Sequence, residues 1–469
     1  MDKDLFRQLP SVDSLVKTEE SKGLIQKYGR ESVVGAARHV IEGLRATIAK
    51  EAGVSSDAGE LSRQNIMKKI EAHLEMAFSP SLAKAVNASG VILHTGLGRA
   101  VLSEDAREAI AEVIEGYCTL AADIETGLRG HRDIHLDRLL CELTGAEAAT
   151  VVNNNAAATM LVLNTLADRK EVIVSRGQLV EIGGAFRMPD VMASSGAILR
   201  EVGTTNRTHL RDYAAVIWEE TGAIMRVHHS NYRIVGFAGE PGIEELAQLA
   251  RDHNVPLIDD LGSGALVDLS EYGLEAEPMV RHSIEAGVDV ACFSGDKLIG
   301  GPQAGIIVGK ADIIKRIRKN PLARAFRIDK MTIAGMEATL RLFRSPEILK
   351  DRHPVHRMFS LPVGVIESRA KKVLRNLRKQ ISEAGEFAIV DGGSQVGSGS
   401  VPVQTIPTKL LMVRPKTRSA ESLARSLRHN QPAVFPRVQK DAVLLDFRTI
   451  QEGEDKIVLD ALLLALGKR

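Results

Sequence analysis

One lysine in this chain stands where a lysine can do covalent chemistry. The run Val288 to Phe293 is apolar and bounded by turn residues, the pattern of a buried strand. It leads through Ser294-Gly295-Asp296-Lys297 into Leu298-Ile299-Gly300-Gly301-Pro302-Gln303-Ala304-Gly305. An amine at the end of a buried strand is partly desolvated, which lowers its pKa and frees it for imine chemistry. The Ser-x-x-Lys spacing of Ser294 and Lys297 sets a hydroxyl nearby for an anionic group such as a phosphate. The glycines that follow let the backbone pass close to a flat ligand. A pyridoxal phosphate site needs these features. Strand-to-loop lysines are also common without any chemistry, so the reading needs partners elsewhere in the chain.

Two stretches offer them. Thr150-Val151-Val152 meets three asparagines, Asn153 to Asn155, and then an alanine-rich helix. Asparagine caps helices well, and a helix N-terminus with free N–H groups is a phosphate site; a well-capped helix and nothing more is the other reading. Pro256-Leu257-Ile258-Asp259-Asp260-Leu261-Gly262 reads as a buried strand ending in carboxylates. Such a carboxylate can hold the proton on a pyridinium nitrogen. Strand alternation lets one of the two face the cofactor, and Asp260, next to the glycine-rich turn, is preferred to Asp259. A loop-capping aspartate is the alternative. Arginines stand where they suit oxyanions, with a solvated basic surface as the other reading: Arg99 ends the turn Thr95-Gly96-Leu97-Gly98, Arg324 and Arg327 stand three apart, on one face if helical, and Glu125 to Arg132 forms a polar, glycine-containing loop.

The elements that position these residues follow from periodicity. Residues 1–80 show helical stripes, Ser32 to Ala49 and Ser62 to Met76, separated by a small-residue linker, Ala52 to Gly59. From residue 81 strand and helix patterns alternate: strands at Ala88 to His94, Glu171 to Ser175, Ala223 to His228 and Val255 to Asp259; helices at Ser103 to Glu115, Ile134 to Thr144, Tyr213 to Glu220, Gly242 to His253 and Lys330 to Phe343. This alternation predicts an α/β core over 81–345, with a mainly parallel sheet and helices on both faces. Ligands there bind at the carboxyl ends of strands. A long helix, Leu361 to Ala384, then leads into a small α+β region, so that 346–469 forms a linker helix and C-terminal domain; the Gly/Ser stretch 392–400 reads as a flexible loop.

Bulk properties exclude several classes. The 469 residues are 44% hydrophobic and 26% charged with formal net charge +1, so global charge announces neither DNA nor RNA. Aromatics, at 4%, are too few for a single-strand stacking platform. Cys118, Cys141 and Cys292 lack metal spacing, so no metal is expected. No apolar run reaches membrane-spanning length, and the first residues lack a signal peptide's pattern; a cytoplasmic protein is expected.

The chain closely resembles the bacterial L-seryl-tRNA(Sec) selenium transferases, the selenocysteine synthases. The motifs that carry the resemblance are Leu93-His94-Thr95-Gly96-Leu97-Gly98-Arg99, Cys141 to Glu147, Val152 to Ala158, Arg176 to Gly184, Asp260 to Gly264 and Phe293 to Gly309. It covers nearly the whole chain. It implies a fold type I pyridoxal phosphate transferase with an N-terminal helical domain for tRNA. Lys297 would carry the cofactor as an imine, Asp260 would face the ring nitrogen, and Ser294 with the Asn154-Asn155-Ala156 turn would hold its phosphate. Seryl-tRNA(Sec) would be converted through a cofactor-bound aminoacrylyl-tRNA, with selenophosphate as donor. Asp296 would assist catalysis, and Arg99, Arg324 and Arg327 would receive the donor's oxyanion. The family assembles as a decamer, five dimers with active sites at their interfaces. Departures from the commoner pattern stand at Gly96, at His131, Asp133 and Ile134, and at Phe435-Pro436-Arg437. A pyridoxal phosphate lyase or desulfurase acting on a free small amino acid shares Lys297 and Asp260 but does not need residues 1–80. A tRNA-binding scaffold with a dead site is a further alternative.

Overall fold

A computed structural model describes residues 6, 9–50, 61–182, 186–229 and 231–467. The expected linker Ala52 to Gly59 lies outside the described residues. The chain divides into two compact units, Met1–Lys84 and Ala85–Arg469.

The first unit is helical: α1 (Val12–Val16), α2 (Glu19–Tyr28), α3 (Arg30–Lys50) and α4 (Arg63–Phe78). Ser11, Thr18 and Ser62 cap α1, α2 and α4 by accepting from first-turn N–H groups, each cap worth about 1 kcal/mol. Val33, Ala37, Ile41 and Leu44 recur at helical spacing on α3 and are buried with Ile66, Ile70 and Leu74 of α4.

The second unit carries two main sheets. Its strands are β1 (Ala85–Ala88), β2 (Ala148–Val152), β3 (Glu171–Ser175), β4 (Glu181–Ile182), β5 (Phe186–Arg187), β6 (Ile198–Val202), β7 (Thr221–Val227), β8 (Leu257–Gly262), β9 (Val290–Ser294), β10 (Gly305–Gly309), β11 (Gly385–Gly397), β12 (Ser400–Pro415), β13 (Ala433–Gln439) and β14 (Ala442–Asp446). Among the described residues the larger sheet is seven-stranded, in the order β2-β10-β9-β8-β7-β3-β6. Strands β9, β8, β7, β3 and β6 are parallel, and β10 is antiparallel to both its neighbours. β2, β9 and β10 are buried throughout, as a sheet covered on both faces requires. The covering helices include α5 (Glu104–Ile114), α6 (Ile134–Thr144), α7 (Asn155–Ala167), α8 (Ile243–Asp252), α9 (Ala311–Lys319), α10 (Pro321–Ala325) and α11 (Lys330–Leu342). The smaller sheet, β1-β13-β14-β12-β11, packs on α13 (Val363–Ile381), α14 (Ala420–Arg428) and α15 (Asp455–Ala465), with α12 (Pro354–Ser360) leading into them.

Five local expectations are corrected. The strand expected over Ala88 to His94 ends at Ala88, because Asn87 turns the chain: its amide donates to Val91 O (2.8 Å) and its Oδ1 accepts from Ser89 N (3.1 Å). Gly90 then takes φ +76°, which favours glycine. β1 also belongs to the smaller sheet, pairing in parallel with β13, so the α/β region expected from residue 81 lends its first strand to the C-terminal layer. The helix expected over Tyr213 to Glu220 is a short one over Leu210–Ala214; the His209 N–H bonds the Asp212 carboxylate (2.8 Å) and starts it early. β8 begins two residues later than expected and runs on to Gly262 instead of ending at Asp259, which brings Asp260 inside the strand. The Gly/Ser stretch 392–400 is no loose loop. It continues the β11–β12 hairpin, pairing Gly392 with Thr408 and Ser394 with Ile406, and the N–H groups of Ile92 and Leu93 bond to Gln395 O and Val396 O (2.9 and 2.8 Å). Small residues there leave room for these close neighbours rather than for motion.

Candidate active site

Lys297 follows β9 by one turn. The turn closes through Gly300 N to Lys297 O (2.9 Å), and Gly301 N bonds back to Gly295 O (2.9 Å). The lysine is 6% exposed. Burial holds its amine below the usual lysine range, with the Asp260 carboxylate pulling the other way. A buried, readily deprotonated amine is the nucleophile that condensation with an aldehyde needs.

Asp260 lies on β8, adjacent to β9 and parallel to it. Asn155 Nδ2 (2.8 Å), Thr159 Oγ1 (3.1 Å) and Gly262 N (3.2 Å) donate to its carboxylate. Burial pushes its pKa up; these donors and Lys297 oppose the rise. Asp259, one residue earlier, faces the other way, toward Arg226 (3.3 Å) and Ser283 (2.7 Å). The preference for Asp260 thus matches the strand's alternation.

α7 begins where the three asparagines stand. Asn154 is the N-cap, its Oδ1 accepting from Ala157 N (2.8 Å). That leaves the N–H groups of Asn155 and Ala156 outside the intrahelical ladder at the positive end of a helix. The side chain of Asn155 is committed to Asp260, so only its backbone is available to an anion. Its Oδ1 is buried without a hydrogen-bond partner. Ser294 closes β9 as a buried residue opposite Gly305 of β10.

The arginines separate into two places. Arg99 donates to Asp296 (2.8 Å), its own backbone held at φ +60° by a tight turn in which Arg99 N bonds His94 O. Both residues line a cavity of about 410 Å³ with Gln303 and Pro302. Arg324 and Arg327 line another, of about 470 Å³, together with Arg129, His131, Arg132 and Arg318. The helix that would put Arg324 and Arg327 on one face does not reach both: α10 ends at Ala325, and Arg327 pairs its backbone with Val152 beyond it. In this second cavity Arg318 is neutralised by Asp133 and Asp137 (3.4 and 2.8 Å). Burial holds the Arg132 guanidinium below its ordinary range, and Arg327 lowers it further, so positive charge is concentrated there. An oxyanion would relieve that repulsion.

Sequence reasoning missed three residues around the lysine and aspartate. Thr159 gives Asp260 its second side-chain donor, one helical turn after Asn155, a spacing that was legible. Glu277, buried, accepts from Ser263 Oγ (2.9 Å), lies 3.3 Å from His228 Nε2 and helps keep Lys297 protonated. Neither Glu277 nor His228 carries a local motif that would have found it. Both line a further cavity of about 440 Å³ at the carboxyl ends of β3 and β7.

The family described as L-seryl-tRNA selenium transferase matches residues 85–451, and the selenocysteine synthase N-terminal family matches residues 6–45. The chain belongs to the L-seryl-tRNA selenium transferase family. It is 46% identical to the L-seryl-tRNA(Sec) selenium transferase of Geotalea daltonii, over 98% of this chain and 99% of that one. It is 48% identical to the protein of that name from Methylocella silvestris, over 95% of each. Among solved structures, D-glucosaminate-6-phosphate ammonia-lyase covers 82% of this chain and 96% of its own with TM-score 0.56 at 20% identity, a likeness of fold. The architecture is that of the fold type I enzymes, an α/β core with N-terminal helices and C-terminal strands. In this member of the transferase family, Asp260 stands on β8 and Lys297 in the turn that follows the adjacent strand β9, and Arg99 pairs with Asp296 instead of standing free. Among the described residues no helix is long and apolar enough to cross a membrane, and no cluster of three or more His, Cys, Asp or Glu is placed for a metal.

Proposed function

We propose that the protein converts L-seryl-tRNA(Sec) to L-selenocysteinyl-tRNA(Sec), with pyridoxal phosphate as cofactor and selenophosphate as selenium donor. The observation that carries this reading is, in a chain of this family, a buried carboxylate on β8 acting on a buried lysine in the turn that follows the adjacent parallel strand β9. The residues fit the cofactor. Asp260 carries side-chain donors but is still pushed up by burial, so a pyridinium N–H would complete its partners. The orphaned Asn155 Oδ1 is a second buried acceptor beside it. The first-turn N–H groups of Asn155 and Ala156, with Ser294, are suited to a phosphate.

Bound there, pyridoxal phosphate supplies an electron sink for the pair left when the seryl α-proton departs. The chain's residues supply the rest. Lys297 Nζ would hold the cofactor and would serve as the base for the α-proton. Asp260 would keep the proton on the ring nitrogen, and Asn155 and Thr159 keep Asp260 in place. Asp296, held by Arg99, flanks the lysine and assists the transfer. Arg324 and Arg327, in the more basic cavity, bind the donor's oxyanion while selenium replaces the hydroxyl and phosphate is released. The first unit recognises the tRNA. Exposed apolar residues Ile114, Tyr117, Ile124 and Leu128 support a homo-oligomer, for which the family resemblance suggests a decamer. A cytoplasmic location is part of the same proposal.

Purified protein incubated with seryl-tRNA(Sec) and selenophosphate tests the function directly, beside a chain lacking residues 1–84. The shortened chain is expected to keep the cofactor's visible absorbance while its tRNA-dependent kcat/KM drops by about 10²-fold or more, as when one of two tethered binding modules is lost. Undiminished turnover would favour a lyase or desulfurase acting on a free amino acid. Arg324→Ala and Arg327→Ala are each expected to slow selenocysteinyl-tRNA formation by about 10²-fold, with exchange of the seryl α-proton into solvent left nearly unchanged. Equal loss of both steps would remove the arginines from selenium delivery.

A further inference from the structure

The turn that carries Lys297 rests on a fully buried histidine with no assigned role. His353 is 0% exposed and stands at the N-cap of α12. Its Nδ1 accepts from His356 N (3.5 Å), so in the neutral ring Nε2 carries the hydrogen, and Nε2 lies 2.8 Å from Ile299 O. Burial holds its pKa down to about 4, which keeps that neutral form at working pH. The ring lies against Gly300, which has φ +68°; a Cβ built there would meet His353 Cε1 at 2.3 Å and Nε2 at 2.8 Å. Gly300 is also the residue whose N–H closes the turn on Lys297 O. Around this contact the rings of His353, His356 and Phe343 stack edge to face, and His356 Nδ1 meets the Tyr272 hydroxyl (3.0 Å). Leu298 packs into the same cluster as Val355, Met358 and Phe359 of α12 and as Ile92 and Leu93.

We infer that His353 is a positioning residue for Lys297: its Nε2–H holds the Ile299 carbonyl and its ring interlocks with Gly300, fixing the 297–301 turn and so the direction of the lysine amine. The interlock requires glycine at 300 because histidine occupies the space a side chain would take. The inference rests on the proposed cofactor chemistry only for its consequence, not for the hold itself.

Two variants separate the hold from the helix cap. His353→Asn keeps an N-cap acceptor for α12, but its shorter amide falls short of Ile299 O. His353→Gln restores a donor at the depth of Nε2. Hydrogen exchange of the peptide spanning Lys297 to Gly301, measured in the full chain, is expected to speed up by about tenfold in His353→Asn and to return toward the parent rate in His353→Gln. In pyridoxal phosphate-loaded protein, His353→Asn is expected to shift the visible cofactor band and to lower kcat by about tenfold or more with KM for seryl-tRNA little changed. Parent-like exchange at 297–301 in a folded His353→Asn variant would overturn the inference. So would an altered exchange rate that His353→Gln fails to correct. If the parent protein takes up no cofactor, the proposed function falls, and the exchange measurement still decides whether His353 holds the turn.

Discussion

Lys297→Ala is expected to abolish turnover, lowering kcat on the order of 10⁴-fold or more, and to remove the covalently held cofactor absorbance while the fold persists. The size follows from what the residue does. In the proposed mechanism its amine would hold the cofactor and would take the seryl α-proton, so one truncation removes two functions. The fold should survive, because the turn around it is held by backbone bonds, Gly300 N to Lys297 O and Gly301 N to Gly295 O, and by Leu298 in the adjoining core. Removing a buried amine also relieves a desolvation cost that Asp260 only partly offsets. The checks are single-turnover formation of selenocysteinyl-tRNA, the visible spectrum, and thermal melting. A variant that kept the parent's spectrum would show that the cofactor is held elsewhere.

The second large effect belongs to Asp260. Asp260→Ala is expected to lower kcat by at least about 10²-fold, because the ring nitrogen would lose the group that keeps it protonated and the electron sink would weaken. Cofactor affinity should fall as well, and the visible band should move, since the charge facing the ring is gone. Asp259→Asn is the control one residue away on the opposite face. There the carboxylate binds Arg226 and Ser283 instead, so its loss should lower the melting temperature and leave the cofactor spectrum unchanged. Equal spectral effects at 259 and 260 would contradict the alternation on which the assignment rests. Asn155→Ala should produce a weaker version of the Asp260 phenotype, since it removes one of the donors that fix the carboxylate.

What was legible in the sequence were features fixed by local pattern. Apolar runs marked β8 and β9, their ends marked Asp260 and Lys297, and the three asparagines Asn153 to Asn155 announced α7, which starts at Asn155, four residues before the expected Thr159. Contacts made across long separations were not legible. Arg99 and Asp296 both stood out, but nothing local says that they bind each other across 197 positions. β10 was hidden because its five residues, framed by Gly305 and Gly309, read as an extension of the glycine-rich turn. The 392–400 hairpin was misread for a related reason: glycine and serine composition signals a loop, whereas here small side chains serve close pairing with β12 and the Ile92–Leu93 backbone. Arg324 and Arg327 would share a face if helical; they do line one cavity, but through the end of α10 and the chain beyond it. His353 had no signal at all, since its role comes from a turn more than fifty positions earlier in the chain.

The central claim is that the nitrogen of Lys297 is where pyridoxal phosphate is attached. Borohydride reduction of the cofactor-loaded protein, followed by proteolysis and mass spectrometry, tests it in one step. The account predicts a single pyridoxyl-labelled peptide with the added mass on Lys297, absent from Lys297→Ala. A label on another lysine, or none in protein that shows the cofactor's absorbance, would contradict it.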